Sequence, residues 1–168
     1  MIMSRFLSTI TPAPKYTDIR DFKGGFLTVI VLAVDYGDAR TGLAVCDKSE
    51  LLASPVTVIA ERNRERLVAK ILAQVTALRA EEIVVGNPLN MNGTAGPRSE
   101  LAQQLAETLR EQSGLPVTLW DERSTTVSAI GILNQTDERG KKRKAVIDAV
   151  AADLILESYL AYRKNHAK

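Results

Sequence analysis

Three carboxylates stand where an α/β chain could use them. Asp35 follows an apolar run at residues 29–34, and Glu122 follows another at 117–120. Asp148 sits in AVIDAVAA at 145–152, a helical stretch apolar almost all round and therefore expected to be buried. In an open α/β sheet the carboxyl ends of the strands form the rim where ligands bind. An acid inside an apolar helix costs several kcal/mol unless it is paired or coordinated. Three acids converging from two strand ends and one packed helix would suit Mg2+ or Mn2+, which take hard oxygen ligands. Two such ions about 3.5–4 Å apart clamp the attacking and leaving oxygens of a phosphodiester. Each acid alone also has a plainer reading: Asp35 as a turn cap, Glu122 as a partner of Arg123 or Arg40, Asp148 as an acid in a first helical turn.

Around these acids lie groups suited to phosphate. The loop 87–99 is rich in Asn, Gly and Thr and carries Arg98, so it could present backbone N–H groups and one cation, or be a solvated connection. Arg123, Ser124 and Thr125 follow Glu122 at the expected start of a helix, a natural anion site, with a plain Ser cap as the simpler alternative. Arg139, Lys141, Lys142, Arg143 and Lys144 form a basic run beside Asp148. Such a run is either a solvated face or a salt-sensitive contact to a nucleic-acid backbone. Aromatic residues make up 5% of the chain, and no base-stacking platform is visible. Trp120 reads as core, Cys46 as a small buried hydrophobe, and His166 as an inert residue without a partner.

Bulk composition narrows the class without choosing the function. The 168 residues, 45% hydrophobic and 25% charged, suit one domain with a sizeable core. No apolar stretch reaches the ~18 to 20 residues of a membrane span. A single cysteine excludes an intrachain disulfide framework and suits a reducing compartment. Net charge is +2, and the four basic and two acidic residues of the first 28 already account for it. The remainder is neutral, so any nucleic-acid argument rests on local clusters.

The elements that would position these residues follow from periodicity. Residues 1–28, punctuated by Pro12, Pro14, Gly24 and Gly25, lack a sustained period and read as a disordered or loosely attached extension. Residues 29–168 read as the folded domain. Strands are expected at 29–34, 41–46, 51–59 (with Pro55 marking an edge or a bulge), 82–86 and 116–120. Helical period appears in Leu67, Val68, Ile71, Leu72, Val75 and Leu78 behind an Asn63 cap. It returns in Leu101, Leu105, Thr108 and Leu109, closed by Gly114. Ser124 would cap a helix to about 134, a basic loop would span 135–144, and a last helix would run from about 145 to 163. The order implies a mixed five-stranded sheet, three antiparallel strands then β-α units, with helices on both faces.

Four segments together resemble the YqgF family, also called RuvX, of RNase H-like proteins described as Holliday junction resolvases and pre-16S rRNA nucleases. They are LAVDYGDARTGLAV at 32–45, IVVGNPLNMNGTAGP at 83–97, WDERSTT at 120–126 and KAVIDAVAADLIL at 144–156. The resemblance spans about residues 29–162. It implies that Asp35, Glu122 and Asp148 are the catalytic, metal-binding acids. It also implies a cytoplasmic bacterial protein, not a membrane one, that acts on precursor 16S rRNA, with ribosomal particles as possible partners and a monomeric or homodimeric state. Asn92 stands where Asp is expected, and Asn87 where Leu or another residue is usual. Three alternatives stay open: a resolvase acting on branched DNA, a non-catalytic nucleic-acid module, and a phosphate-binding ATPase of the actin and Hsp70 type. The last is disfavoured because its site lies between two such domains.

Overall fold

A computed structural model describes residues 29–124 and 141–166. The segment 1–28 and the helix expected up to about 134 lie outside the described residues, as do the side chains of Ser124 and of residues 141–148.

The strands are β1 (Val31–Asp35), β2 (Thr41–Cys46), β3 (Ala53–Ile59), β4 (Glu82–Asn87) and β5 (Val117–Asp121). They form one sheet in the order β3-β2-β1-β4-β5. The β1–β2 and β2–β3 pairs are antiparallel, whereas β1–β4 and β4–β5 are parallel. The expected mixed sheet is therefore present. Val31, Leu32, Ala33 and Val34 are fully buried because β1 is the central strand and is covered on both faces. Pro55 lies on an outer strand, and the β2–β3 register shifts between Leu43 and Ala44, opposite Thr57 and Pro55. Proline has no N–H to offer a ladder, so an edge with a bulge accommodates it. The third strand starts later than expected: Leu51 and Leu52 are exposed in the turn that Asp47 caps through both their N–H groups.

Two helices, α1 (Arg64–Leu78) and α2 (Pro97–Ser113), cover one face. The Asn63 side chain accepts from the Arg66 N–H at 2.9 Å, and Gly114 closes α2 at a φ of 69°. Leu67, Val68, Ile71 and Val75 pack with Leu32, Val34, Ile83, Val85, Leu105 and Leu109 in one cluster. Each fully buried leucine or isoleucine there contributes about 1.5–3 kcal/mol. The inward stripe of α2 is Ala102, Leu105, Ala106 and Leu109, rotated from the expected one toward alanines that let the helix lie close.

The last helix, α3 (Lys141–His166), covers the opposite face. It begins before position 145, so Lys141 to Lys144 form its first turn instead of ending a loop. Lysine and arginine are good helix formers, and the last strong breaker is Gly140. Nor is its apolar segment buried all round: Ala152 is fully buried, whereas Ala149, Val150 and Ala151 are half-buried. The helix lies across one face of the sheet, so a single stripe, Ala152, Ile155, Leu156, Tyr159 and Leu160, reaches the core. Facing it are Val31, Ala33, Ala44, Cys46 and Val84, several of them small. Cys46 is buried as expected, and its Sγ accepts from the Val31 N–H.

An ionic network clamps the far end of α3. Arg163 pairs with Glu82 and, at 3.3 Å, with Glu50. Glu82 also accepts from the Tyr159 hydroxyl, and burial pushes that phenol well above its ordinary range. His166 does have a partner: it stacks on Tyr162 with ring centres 3.9 Å apart, and its Nδ1 lies 2.8 Å from the Tyr162 carbonyl oxygen.

Candidate active site

Parallel pairing of β1, β4 and β5 brings three strand C-termini to one rim. Asp35 is the last residue of β1. Glu122 opens a single 3-10 turn directly after β5. The turn behind Asp35 is tight: a Cβ on Gly37 would stand 2.6 Å from the Arg40 carbonyl oxygen. Arg40 itself buries Nη1 with no hydrogen-bond partner among the described residues.

Gly86, one residue before the end of β4, is what lets Glu122 enter. A Cβ there would lie 2.1 Å from Glu122 Oε1 and 2.6 Å from the Ile155 methyl of α3. The carboxylate therefore lies over the β4 backbone beneath α3. Burial first, then the nearby Asp35 carboxylate, push Glu122 up to about 7, while Arg98 pulls the other way. Two of the three expected acids are thus within electrostatic reach. The third, Asp148, lies on the described backbone of α3, but its side chain is outside the described part. By helical spacing, position 148 falls on the same stripe as Ala152 and Ile155, about 10 Å up the axis from Ile155. Among the described residues no three or more His, Cys, Asp or Glu side chains cluster to hold a metal.

The other expected contacts divide. Arg98 is exposed in the first turn of α2, where its charge acts on Glu122. The start of that helix is tied to the strand rim, because buried Ser99 donates to Asn87 Oδ1 at 2.6 Å. Arg123 folds back onto Asp121. Its Nε lies 3.0 and 2.8 Å from the two Asp121 carboxylate oxygens, and its Nη1 reaches the Met91 carbonyl at 3.5 Å. Asp121, held below its ordinary range by that guanidinium, is a residue the sequence pattern did not single out. The pair braces the loop against the end of β5. The loop amides are also differently employed from the expectation of a phosphate cradle. Asn90 N–H donates to Thr94 O, Gly93 N–H to Asn90 O and Thr94 N–H to Asn92 Oδ1, so the loop closes on itself. Ser124 ends the 3-10 turn and Thr125 lies outside the described residues. Lys142, Arg143 and Lys144 occupy the first turn of α3, with their side chains outside the described part. Gly86 had a signal in the sequence, since glycine inside a strand marks a close approach.

A mixed sheet in this order, with acids at the ends of β1 and β5 and a helix packed over them, defines an RNase H-like protein. Solved structures agree on the fold. One is RuvC from Thermus thermophilus in complex with a Holliday junction substrate: TM-score 0.51, 18% identity, 81% of this chain and 96% of that one. Another is the yeast mitochondrial Holliday junction resolvase: TM-score 0.52, 12% identity, 86% of this chain and 84% of that one. The family model described as "RuvX: Holliday junction resolvase" matches residues 29–162, and the chain belongs to that family. Among its relatives, a protein of Halothermothrix orenii named "Putative pre-16S rRNA nuclease" is 41% identical over 135 residues, which are 80% of this chain and 96% of that protein. One of the same name from Caldanaerobacter subterraneus is 42% identical over 136 residues, 80% of this chain and 98% of that protein.

Proposed function

We propose that this chain is a metal-dependent hydrolase of phosphodiester bonds that acts on precursor 16S rRNA at its 5′ end. The observation that carries the proposal is Glu122: a carboxylate half-sunk over Gly86, raised to about 7 and pressed by Asp35. Two acids held in mutual repulsion at a strand rim favour a cation between them, and their oxygens suit Mg2+ or Mn2+. Asp35, Glu122 and Asp148 would hold the metal. Such an ion supplies positive charge against the negative charge developing at phosphorus, and lowers the pKa of water. The chain's own residues bind and orient. Arg98 offers a cation to a substrate phosphate beside Glu122, and the Lys142, Arg143 and Lys144 turn offers further contacts to a nucleic-acid backbone. Arg123, Ser124 and Thr125, which follow Glu122, offer a further site to a substrate phosphate. The proposal includes residues 1–28 as an extension apart from the nuclease domain, ribosomal particles as the setting, a monomer or homodimer, and a cytoplasmic location. No helix among the described residues is long and apolar enough to cross a membrane.

A second reading, cleavage of branched DNA, has the family description in its favour. One experiment separates the two. Purified protein is incubated with precursor 16S RNA or a four-way DNA junction, with Mg2+, Mn2+ or EDTA. Metal-dependent cleavage of the RNA, abolished by Asp35→Asn with RNA binding retained, is the expected result. Undiminished cleavage by Asp35→Asn would defeat the three-acid reading.

A further inference from the structure

Among the described residues, three of the four Trp and Tyr side chains, Trp120, Tyr159 and Tyr162, lie together on the α3 side of the sheet. Trp120 on β5 stands opposite Gly86 in the β4–β5 register, and Glu122 lies over that same glycine. Trp120 and Glu122 thus share the α3 face of the sheet, about 7 Å apart along the chain. From Trp120 a run of rings leads outward. Its centroid is 5.3 Å from that of Tyr159, edge to face, and 5.2 Å from that of Tyr162. Tyr162 stacks on His166 at 3.9 Å with 25° between the planes. Tyr159 is buried, whereas Tyr162 is 48% exposed and His166 is exposed. The indole N–H donates to Ser158 Oγ at 3.2 Å, which fixes the ring against α3.

Trp120 is half-buried against the core that includes Tyr159, whereas Tyr162 and His166 carry the run of rings out to the surface. A stacked, nearly parallel pair at the surface leaves its outer faces and edges available, and β5 is the outer strand of the sheet among the described residues. Positions 148, 152, 155, 159, 162 and 166 follow one stripe of α3 by helical spacing. One helix therefore carries an expected catalytic acid near its start and the aromatic run near its end. The last turn is basic, with Arg163, Lys164 and His166. Arg163 is engaged by Glu82 and Glu50, while Lys164 is exposed. Exposed aromatic rings beside cations are the elements with which proteins hold unpaired bases without reading sequence.

We infer that Trp120, Tyr162 and His166 form a stacking platform for unpaired bases of a single-stranded RNA segment running from the candidate site along the β5 edge. The inference rests on the nuclease reading and adds to it a single-stranded flank that strengthens substrate binding.

Trp120 is the sole tryptophan, so its emission reports the platform directly. Wild-type protein, Tyr162→Ala and Tyr162→Phe are titrated with single-stranded oligoadenylate and with a blunt RNA duplex. Cleavage is measured on precursor RNA with and without its unpaired flank. Oligoadenylate is expected to quench Trp120 and the duplex to leave it unchanged. Tyr162→Ala is expected to weaken oligoadenylate binding by about tenfold, and Tyr162→Phe to restore it. Cleavage of the flankless RNA by Tyr162→Ala should match wild type. Unquenched tryptophan, or equal oligoadenylate affinity in wild type and Tyr162→Ala, overturns the platform and leaves the nuclease reading standing. A change in sedimentation of Tyr162→Ala with RNA binding unaltered also overturns it, and assigns the rings to a protein contact. Quenching by oligoadenylate without cleavage of any substrate would sink the nuclease reading alone.

Discussion

Glu122→Gln will make the metal-free protein more stable at pH 8 while removing its response to metal. The side chain is mostly buried over Gly86, and its carboxyl moves from 4.5 to about 7 through burial and the Asp35 charge. Below about 4.5 the group is protonated in both folded and unfolded chains, and its ionisation costs nothing. Between 4.5 and 7 the unfolded chain releases the proton while the folded one keeps it, so stability falls as pH rises. Above about 7 the whole cost, on the order of 3 kcal/mol, is present. Glutamine has nearly the same shape and no charge to bury, so it avoids that cost. Urea unfolding in EDTA at pH 5 and pH 8 measures this. With a urea slope of about 2 kcal/mol/M, the variant's midpoint at pH 8 exceeds wild type by roughly 1.5 M, and most of the gap closes at pH 5. Adding Mg2+ at about 100 times its dissociation constant raises wild-type stability by about 2.7 kcal/mol and the variant by much less. A Gln variant no more stable than wild type at pH 8 in EDTA would refute the electrostatic account of the site.

Three further outcomes are expected. Gly86→Ala displaces the ends of two flexible side chains, Glu122 and Ile155, so thermal unfolding shows a modest loss, about 1 kcal/mol, while cleavage falls far more; an active variant would show that Glu122 need not lie over β4. Arg98→Ala removes the cation that opposes the rise in Glu122, so the acid limb of the cleavage pH profile moves to higher pH, and an unmoved limb would separate Arg98 from the site. Replacing Lys142, Arg143 and Lys144 together by Ala lowers the slope of log affinity against log salt by about 0.7 for each lost single-strand phosphate contact; an unchanged slope in filter binding would make that turn a solvated face.

The central strand, the antiparallel hairpin, the Asn63 cap and the Gly114 stop were legible because each is a local pattern with a local cause. β1 is apolar up to Asp35 because it is covered on both faces, and α1 shows its period because one face is wet. Leu51 and Leu52 misled because hydrophobicity alone cannot tell a strand residue from an exposed turn residue held by Asp47. The start of α3 was hidden by its charges, which read as loop although lysine and arginine form helix readily.

At the site, amino-acid type and position relative to apolar runs brought Asp35 and Glu122 forward as candidates, because an acid at or just after the end of a strand stands at the rim of a parallel sheet. Their electrostatic coupling was not in the sequence. It depends on β4 lying between β1 and β5, on Gly86 having no side chain, and on Ile155 closing over the carboxylate from the far end of the chain. The engagement of Arg123 by Asp121, and the meeting of Trp120 with Tyr162 and His166, likewise join residues two or about forty positions apart whose orientations no periodicity encodes. Sequence alone determined which groups are available and which elements carry them. Only the packing of helix on sheet decided which charges feel one another, because burial and distance set their strength and both are properties of the folded chain.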